Sequence, residues 1–112
     1  MIKNIPNALT QKETFYKIFN KSHPNEMNFY YLPIDFQTKQ NFGYAFLNFR
    51  SPISIVGFYK FYNMKKLDAS NSNKICHISY ARIQGLDNCI DHFENSSIMK
   101  QTDQKLKPII IK

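Results

Sequence analysis

The sequence predicts a single α+β domain: a four-stranded antiparallel sheet with two helices on one face and a C-terminal helical extension. Three observations carry this. The apolar periodicity along the chain switches in the order strand, helix, strand, strand, helix, strand. Helix-start signals precede both predicted helices. The chain has 112 residues, 43% of them apolar, which suits one modest core rather than two.

Met1 to Ile5 is short and mostly apolar, and the turn signal Pro6-Asn7 follows it, so a first strand begins almost at the start of the sequence. Thr10-Gln11-Lys12-Glu13 matches a capping box, with Thr10 as N-cap and Glu13 reaching back to it. Phe15, Ile18 and Phe19 recur at helical spacing, which predicts a helix over 11–20 that Ser22-His23-Pro24-Asn25 ends. The aromatic stretch from Met27 to Ile34 reads as a second strand, with Pro33 marking an edge or a strand end. Asp35 to Asn41 is a polar loop, and Phe42 to Phe49 alternates large and small residues as a third strand does. Ser51-Pro52 then opens a second helix, with Ser51 as N-cap and Ile53, Val56, Phe58, Tyr59 and Tyr62 as its apolar face. Lys65 to Lys74 is a loop or small hairpin, and Ile75 to Ala81 is a fourth strand with Ile78 and Tyr80 facing the core. This is the split β-α-β order of ferredoxin-like domains, whose sheet keeps one face free of helices. Residues 1–83 form that core. Residues 84–112 form an extension, with Leu86, Cys89 or Ile90, and Phe93 at helical spacing over 86–95, then a basic tail closed by Pro108-Ile109-Ile110-Ile111.

Composition narrows the function. A net charge of +7 and a pI near 9.5 favour a polyanionic partner. Two cysteines, Cys76 and Cys89, are too few for a disulfide framework, and with His23, His77 and His92 they show no metal-ligand spacing. Reduced thiols fit a nuclear or cytoplasmic location. No stretch has the length or apolarity of a signal peptide or a spanning helix, so no membrane role is expected. Neither a nucleophilic triad, a carboxylate pair nor a metal cluster is evident. Pro6-Asn7-Ala8-Leu9 lacks the glycine and arginine of a phosphate cradle, so neither an enzyme nor a cofactor is expected.

The third strand carries the chemistry. Phe42-Gly43-Tyr44-Ala45-Phe46-Leu47-Asn48-Phe49 matches the eight-residue signature of single-strand RNA binders at six of its seven specified positions when Leu47 is accepted for Val. Alternation puts Tyr44 and Phe46 on one face and Ala45, Leu47 and Phe49 on the other, under the helices. Flat rings on a helix-free sheet face accept stacked bases. Phe42 stands where a cation usually meets a phosphate, a contact left to Lys39 or Arg50. On the first strand, aligning Asn4 with the Asn of the partner signature puts Met1 where a stacking ring usually lies. The strand's usual first residue is absent, which implies either a piece of a longer protein or a strand one residue short. Phe29 and Tyr31 share the parity of Tyr44, as do His77 and Ser79 on the fourth strand. Arg82 at the strand end can stack on a base or grip a phosphate, and Lys3 can meet a phosphate. The third predicted helix is the element best placed to cover Tyr44 and Phe46.

Met1-Ile2-Lys3-Asn4-Ile5-Pro6-Asn7, Tyr31-Leu32-Pro33-Ile34-Asp35-Phe36, Gly43-Tyr44-Ala45-Phe46 and Ile78-Ser79-Tyr80-Ala81-Arg82-Ile83-Gln84-Gly85 together resemble the C-terminal RNA recognition motif (RRM) of the Mei-two-like meiotic RNA-binding proteins. His92-Phe93 followed by Asn95-Ser96-Ser97 resembles the same family's segment after the fourth strand. Asp35 to Phe49 and Ser79-Tyr80-Ala81-Arg82 are also similar to the ELAV and Sex-lethal type domains that bind U-rich single strands. The resemblance implies single-stranded RNA as partner and a role in post-transcriptional, meiotic or developmental regulation. It also implies that a small aliphatic residue is usual where Phe42 stands. The competing expectation is a protein-interaction module working through the helical face or the extension.

Overall fold

A computed structural model describes residues 1–67, 72–94 and 107–111. Strand β1 is Ile2–Lys3. Helix α1 consists of π-helical turns over Glu13–Phe19 that run into an α-helical turn, Asn20–Ser22. Strand β2 is Met27–Tyr31, β3 is Tyr44–Phe49, α2 is Pro52–Tyr62, β4 is His77–Ile78, α3 is Leu86–Glu94 and β5 is Ile109–Ile110. The strands lie in the order β4-β1-β3-β2-β5, with every neighbouring pair antiparallel.

The split β-α-β order is present, with one departure in the sheet. The sheet has five strands rather than four, because Ile109–Ile110 pairs with β2 at Tyr30 and Phe29. The tail sequence Pro108-Ile109-Ile110-Ile111 hid this, since three β-branched residues too short to read as a strand need a waiting edge to become one. Gln11 Nε2 fastens this strand to α1 by donating to Lys107 O at 2.7 Å, while Arg50 Nη2 donates to Ile111 O at 3.2 Å. Strand β2 is therefore interior, not an edge, and Pro33 lies just past its end. The helical stretch from 86 ends its described part at Glu94, and the expected tail over 96–106 lies outside the described residues.

The capping box forms as read: Glu13 N donates to Thr10 Oγ1 and Thr10 N to Glu13 Oε1, both at 3.2 Å. The helix it opens is π-helical, however, and Asn20 N reaches back five residues to Phe15 O. The wider coil lets Thr14 and Phe15 face inward together, and Thr14 Oγ1 accepts the buried Tyr30 hydroxyl at 2.6 Å. At α2, Pro52 occupies the first helical position, but Ser51 makes no side-chain cap. The apolar face expected for α2 is only partly used. Phe58 and Tyr62 are buried, whereas Ile53, Val56 and Tyr59 are exposed.

One core lies between the sheet and helices α1 and α2, built from Ile2, Ile5, Phe15, Phe19, Tyr30, Leu32, Ala45 and Phe58 among others. A bulge between Met27 and Phe29 lets Met27 face this core while Phe29 faces the opposite side. A second, smaller cluster sits on that opposite side, where α3 packs on β2.

Candidate nucleic-acid interface

The face away from α1 and α2 is built by strand parity. Ala45 is fully buried, and Leu47 and Phe49 pack against the core, so Tyr44 and Phe46 emerge on the other side. Ile2 pairs with Ala45 and Lys3 with Tyr44, which brings Lys3 onto the same face as Tyr44. Lys3 also pairs with His77, so the exposed His77 stands beside it. Met1 N donates to Ser79 O at 2.8 Å and Ser79 N donates to Met1 O at 3.0 Å, which places Met1 next to Ser79 on this face. Partial burial holds the Met1 amine below its ordinary range, assisted by the nearby Lys3 charge.

Two asparagines and a glycine set the entry into β3. Asn41 is buried, and its Nδ2 donates to Pro6 O at 2.9 Å and Leu9 O at 2.8 Å, while its Oδ1 accepts Gly43 N at 2.6 Å. Gly43 has φ +91°, and its carbonyl accepts Ile5 N at 2.8 Å. A left-handed residue here turns the chain so that the Phe42 and Tyr44 rings stack, with centroids 6.3 Å apart and planes 20° apart. Asn4, also left-handed at φ 66°, ends β1 and donates from Nδ2 to Ile75 O at 2.9 Å. These geometries explain why both short signatures demand Gly and Asn at those positions. Asn41 was not singled out from the sequence, because its donors are satisfied by carbonyls more than thirty residues away.

Met1, Lys3, Asn4, Phe42, Tyr44 and Lys74 line a shallow cup of about 230 Å³ on this face. Phe42 is half-exposed, and Tyr44 is partly so. The cup's cations are Lys3 and Lys74, and Lys74 Nζ also donates to Asn7 Oδ1. Lys39 and Arg50, expected to replace the missing cation at Phe42, do not line it, and Arg50 is instead bonded to Asn25 O and Ile111 O. Arg82 is exposed on the turn that leads out of β4.

The other half of the face is covered. Phe93 of α3 stacks on Phe29 at 5.6 Å, meets Tyr31 edge-on at 5.0 Å and tilts against Phe46 at 5.3 Å. Phe29 and Tyr31 have the expected parity, but they are buried under α3 rather than open. Burial pushes the Tyr31 hydroxyl up to about 12, with Tyr44 contributing. Phe46 sits at the border, with Phe93 on one side and Tyr44 at 5.7 Å on the other. Asn48 fixes this border: its Oδ1 accepts Gly85 N at 3.1 Å and its Nδ2 donates to Asn28 Oδ1 at 2.9 Å. Tyr80, expected in the core, is 85% exposed, because β4 ends at Ile78 and the chain turns away before parity can carry it inward.

The motif geometry on this sheet agrees with the match to the family model for RNA recognition motif 2, which covers residues 1–94. The chain belongs to the RNA recognition motif 2 family. This RNA recognition motif is 48% identical over 110 residues to Protein MEI2-like 2 of Oryza sativa subsp. japonica, covering 98% of the chain and 13% of that protein. It is also 48% identical to Protein MEI2-like 5 and 46% identical to Protein MEI2-like 1, both of Arabidopsis thaliana, over 98% of the chain and 14% and 12% of those proteins. The domain is thus of the Mei2-like type, and it spans about an eighth of the length of these relatives. Among the described residues no helix is long and apolar enough to cross a membrane, and no group of His, Cys, Asp or Glu could hold a metal ion.

Proposed function

We propose that this RNA recognition motif binds single-stranded RNA on the uncovered half of its sheet, stacking a base on the Tyr44–Phe42 pair. The observation that carries the reading is the cup itself. Two stacked, accessible rings stand beside Lys3 and Lys74 on the face that α1, α2 and α3 all leave free. Rings give sequence-tolerant affinity, and the ammonium groups meet the flanking phosphates. Met1 offers a flat thioether surface next to Tyr44, His77 and Ser79 offer hydrogen bonds along β4, and Arg82 extends the basic track. Phe46 contributes only the flank that Phe93 leaves bare, and Phe29 and Tyr31 contribute nothing while α3 is docked. The family resemblance supports a role in post-transcriptional, meiotic or developmental regulation, exercised in the nucleus or cytoplasm, without catalysis.

The test is fluorescence anisotropy with labelled octanucleotides of several compositions. Tyr44→Ala should weaken binding by about 1–3 kcal/mol, or about 5- to 150-fold, with the fold retained. Log affinity should fall against log salt with a slope of about −0.7 per phosphate contacted, and Lys3→Ala should make that slope shallower. Affinity unchanged by Tyr44→Ala would rule the reading out.

A further inference from the structure

We infer that the outward face of α2 is a docking site for an acidic amphipathic helix of another protein, which crosses α2 at Gly57. The sequence of α2 is apolar on both sides, as in a helix buried on both sides. Phe58 and Tyr62 turn into the core, whereas Ile53 is 82% exposed, Phe61 58% and Val56 55%. Ile53, Val56, Gly57, Lys60 and Phe61 fall at i, i+3, i+4, i+7 and i+8, so they form one continuous stripe along the helix. Scattered apolar residues on a surface mean little, but a contiguous apolar stripe marks an interaction site. The helix packs on the sheet face opposite the RNA cup, so this stripe is separate from the RNA surface.

Gly57 decides what kind of occupant fits. Glycine is among the poorest residues for a helix interior, and nothing in the fold calls for it here, since a Cβ built at Gly57 would meet no atom within 4 Å. What the missing Cβ supplies is close approach by another backbone. Helix axes pack about 8–10 Å apart depending on the side chains between them, and a glycine at the crossing point permits the short end of that range. Ile53 and Val56 on one side of the crossing and Phe61 on the other then act as the ridges that enter the partner's grooves. Phe61 stands edge-on to His23 at 5.3 Å and to Tyr62 at 4.8 Å, so its ring is positioned before a partner arrives. A lipid surface would gain from a side chain at position 57, not from its absence. Charge selects the partner. From Phe36 to Leu67 the sequence has no acidic residue, whereas Lys60 lies in the stripe and the exposed Lys65 and Lys66 follow the end of α2. A second copy crossing symmetrically at Gly57 would bring Lys60 of both copies to one junction, while a helix with Glu or Asp beside its apolar stripe complements them.

The probe is an acetylated, amidated peptide of three Leu-Glu-Ala-Leu-Ala-Glu-Glu repeats, titrated into the ¹⁵N-labelled chain. The expected result is a saturable shift of the Ile53, Gly57 and Phe61 amides with little change at Tyr44. The same peptide with every glutamate replaced by lysine keeps the apolar stripe and should bind at least tenfold more weakly. Gly57→Leu adds apolar surface where there is room for it, so the thermal midpoint should not fall, yet it blocks the close approach and should weaken peptide binding at least tenfold with RNA affinity unchanged. Lys60→Glu should weaken binding of the acidic peptide in the same way. The proposal fails if Ile53, Gly57 and Phe61 stay silent at millimolar peptide, or if Gly57→Leu binds the peptide as well as the native chain does. It also fails if the lysine peptide binds equally well, or if phosphatidylserine vesicles shift these amides and the peptide does not, which would make the occupant a lipid surface. Self-association of the free chain in sedimentation, abolished by Gly57→Leu, would overturn it as well, because a second copy would then be the occupant.

Discussion

Replacing Phe93 by alanine separates the covered half of the sheet from the open half. Phe93 is almost fully buried and packs on the sheet rings of Phe29, Tyr31 and Phe46 at 5.0–5.6 Å. Truncating a buried Phe costs about 3–5 kcal/mol. The loss should be local, because the described part of α3 has nine residues and a helix below about 12–15 residues is marginal without tertiary contacts. A cost of that size raises the opening equilibrium of α3 by about 150- to 5,000-fold. Cys89 supplies the readout. It is 2% exposed, lies in the same cluster, and burial raises its thiol above the ordinary range. In Phe93→Ala, Cys89 should react with a disulfide reagent at a rate increased by roughly that factor, while Cys76, buried in the main core, stays protected. Undocking also bares Phe29, Tyr31 and the rest of Phe46, enough for about one further stacked base. RNA affinity should therefore rise by about 1–3 kcal/mol. An unchanged Cys89 rate would refute the docking energetics. A fall in RNA affinity would refute the argument that α3 occludes the sheet and would make it part of the binding surface.

Two further outcomes follow from the same geometry. Tyr31 is neutral when protonated, and burial raises its folded-state pKa from 10.0 to about 12. Its contribution is fully present below pH 10 and is lost as pH rises toward 12, so urea midpoints of the native chain should fall more steeply across that window than those of Tyr31→Phe. Gly43→Ala places a side chain at φ +91° with no contact closer than 3.6 Å, so backbone strain alone should destabilise the fold, by about 1 kcal/mol or more in a thermal melt.

Much of the fold is written in local pattern. The capping box at Thr10, the pair Ser51-Pro52 and the alternation from Tyr44 to Phe49 each depend on neighbours within a few residues, and the elements they specify are present, although Ser51 caps with its backbone only. The motif residues Gly43, Tyr44, Ala45 and Phe46 are legible for the same reason, because strand parity is a property of sequence spacing. What could not be read depends on distant partners. Ile109–Ile110 becomes a strand only because β2 offers an edge, and Asn41 matters only because Pro6 and Leu9 turn their carbonyls toward it. The exposure of Ile53, Val56 and Tyr59 follows from where α2 sits on the sheet, since periodicity defines a helix face but not how much of it is covered.

The sequence by itself determined that Tyr44 and Phe46 leave the sheet on the side opposite the two core helices, because alternation is fixed by the covalent chain. Only the tertiary structure decided that these two rings differ in access. Phe93, forty-seven residues beyond Phe46, closes over one end of the face and leaves the Tyr44 end open. That choice rests on packing between segments remote in sequence, where burial of rings, rather than any local preference of the backbone, sets the outcome.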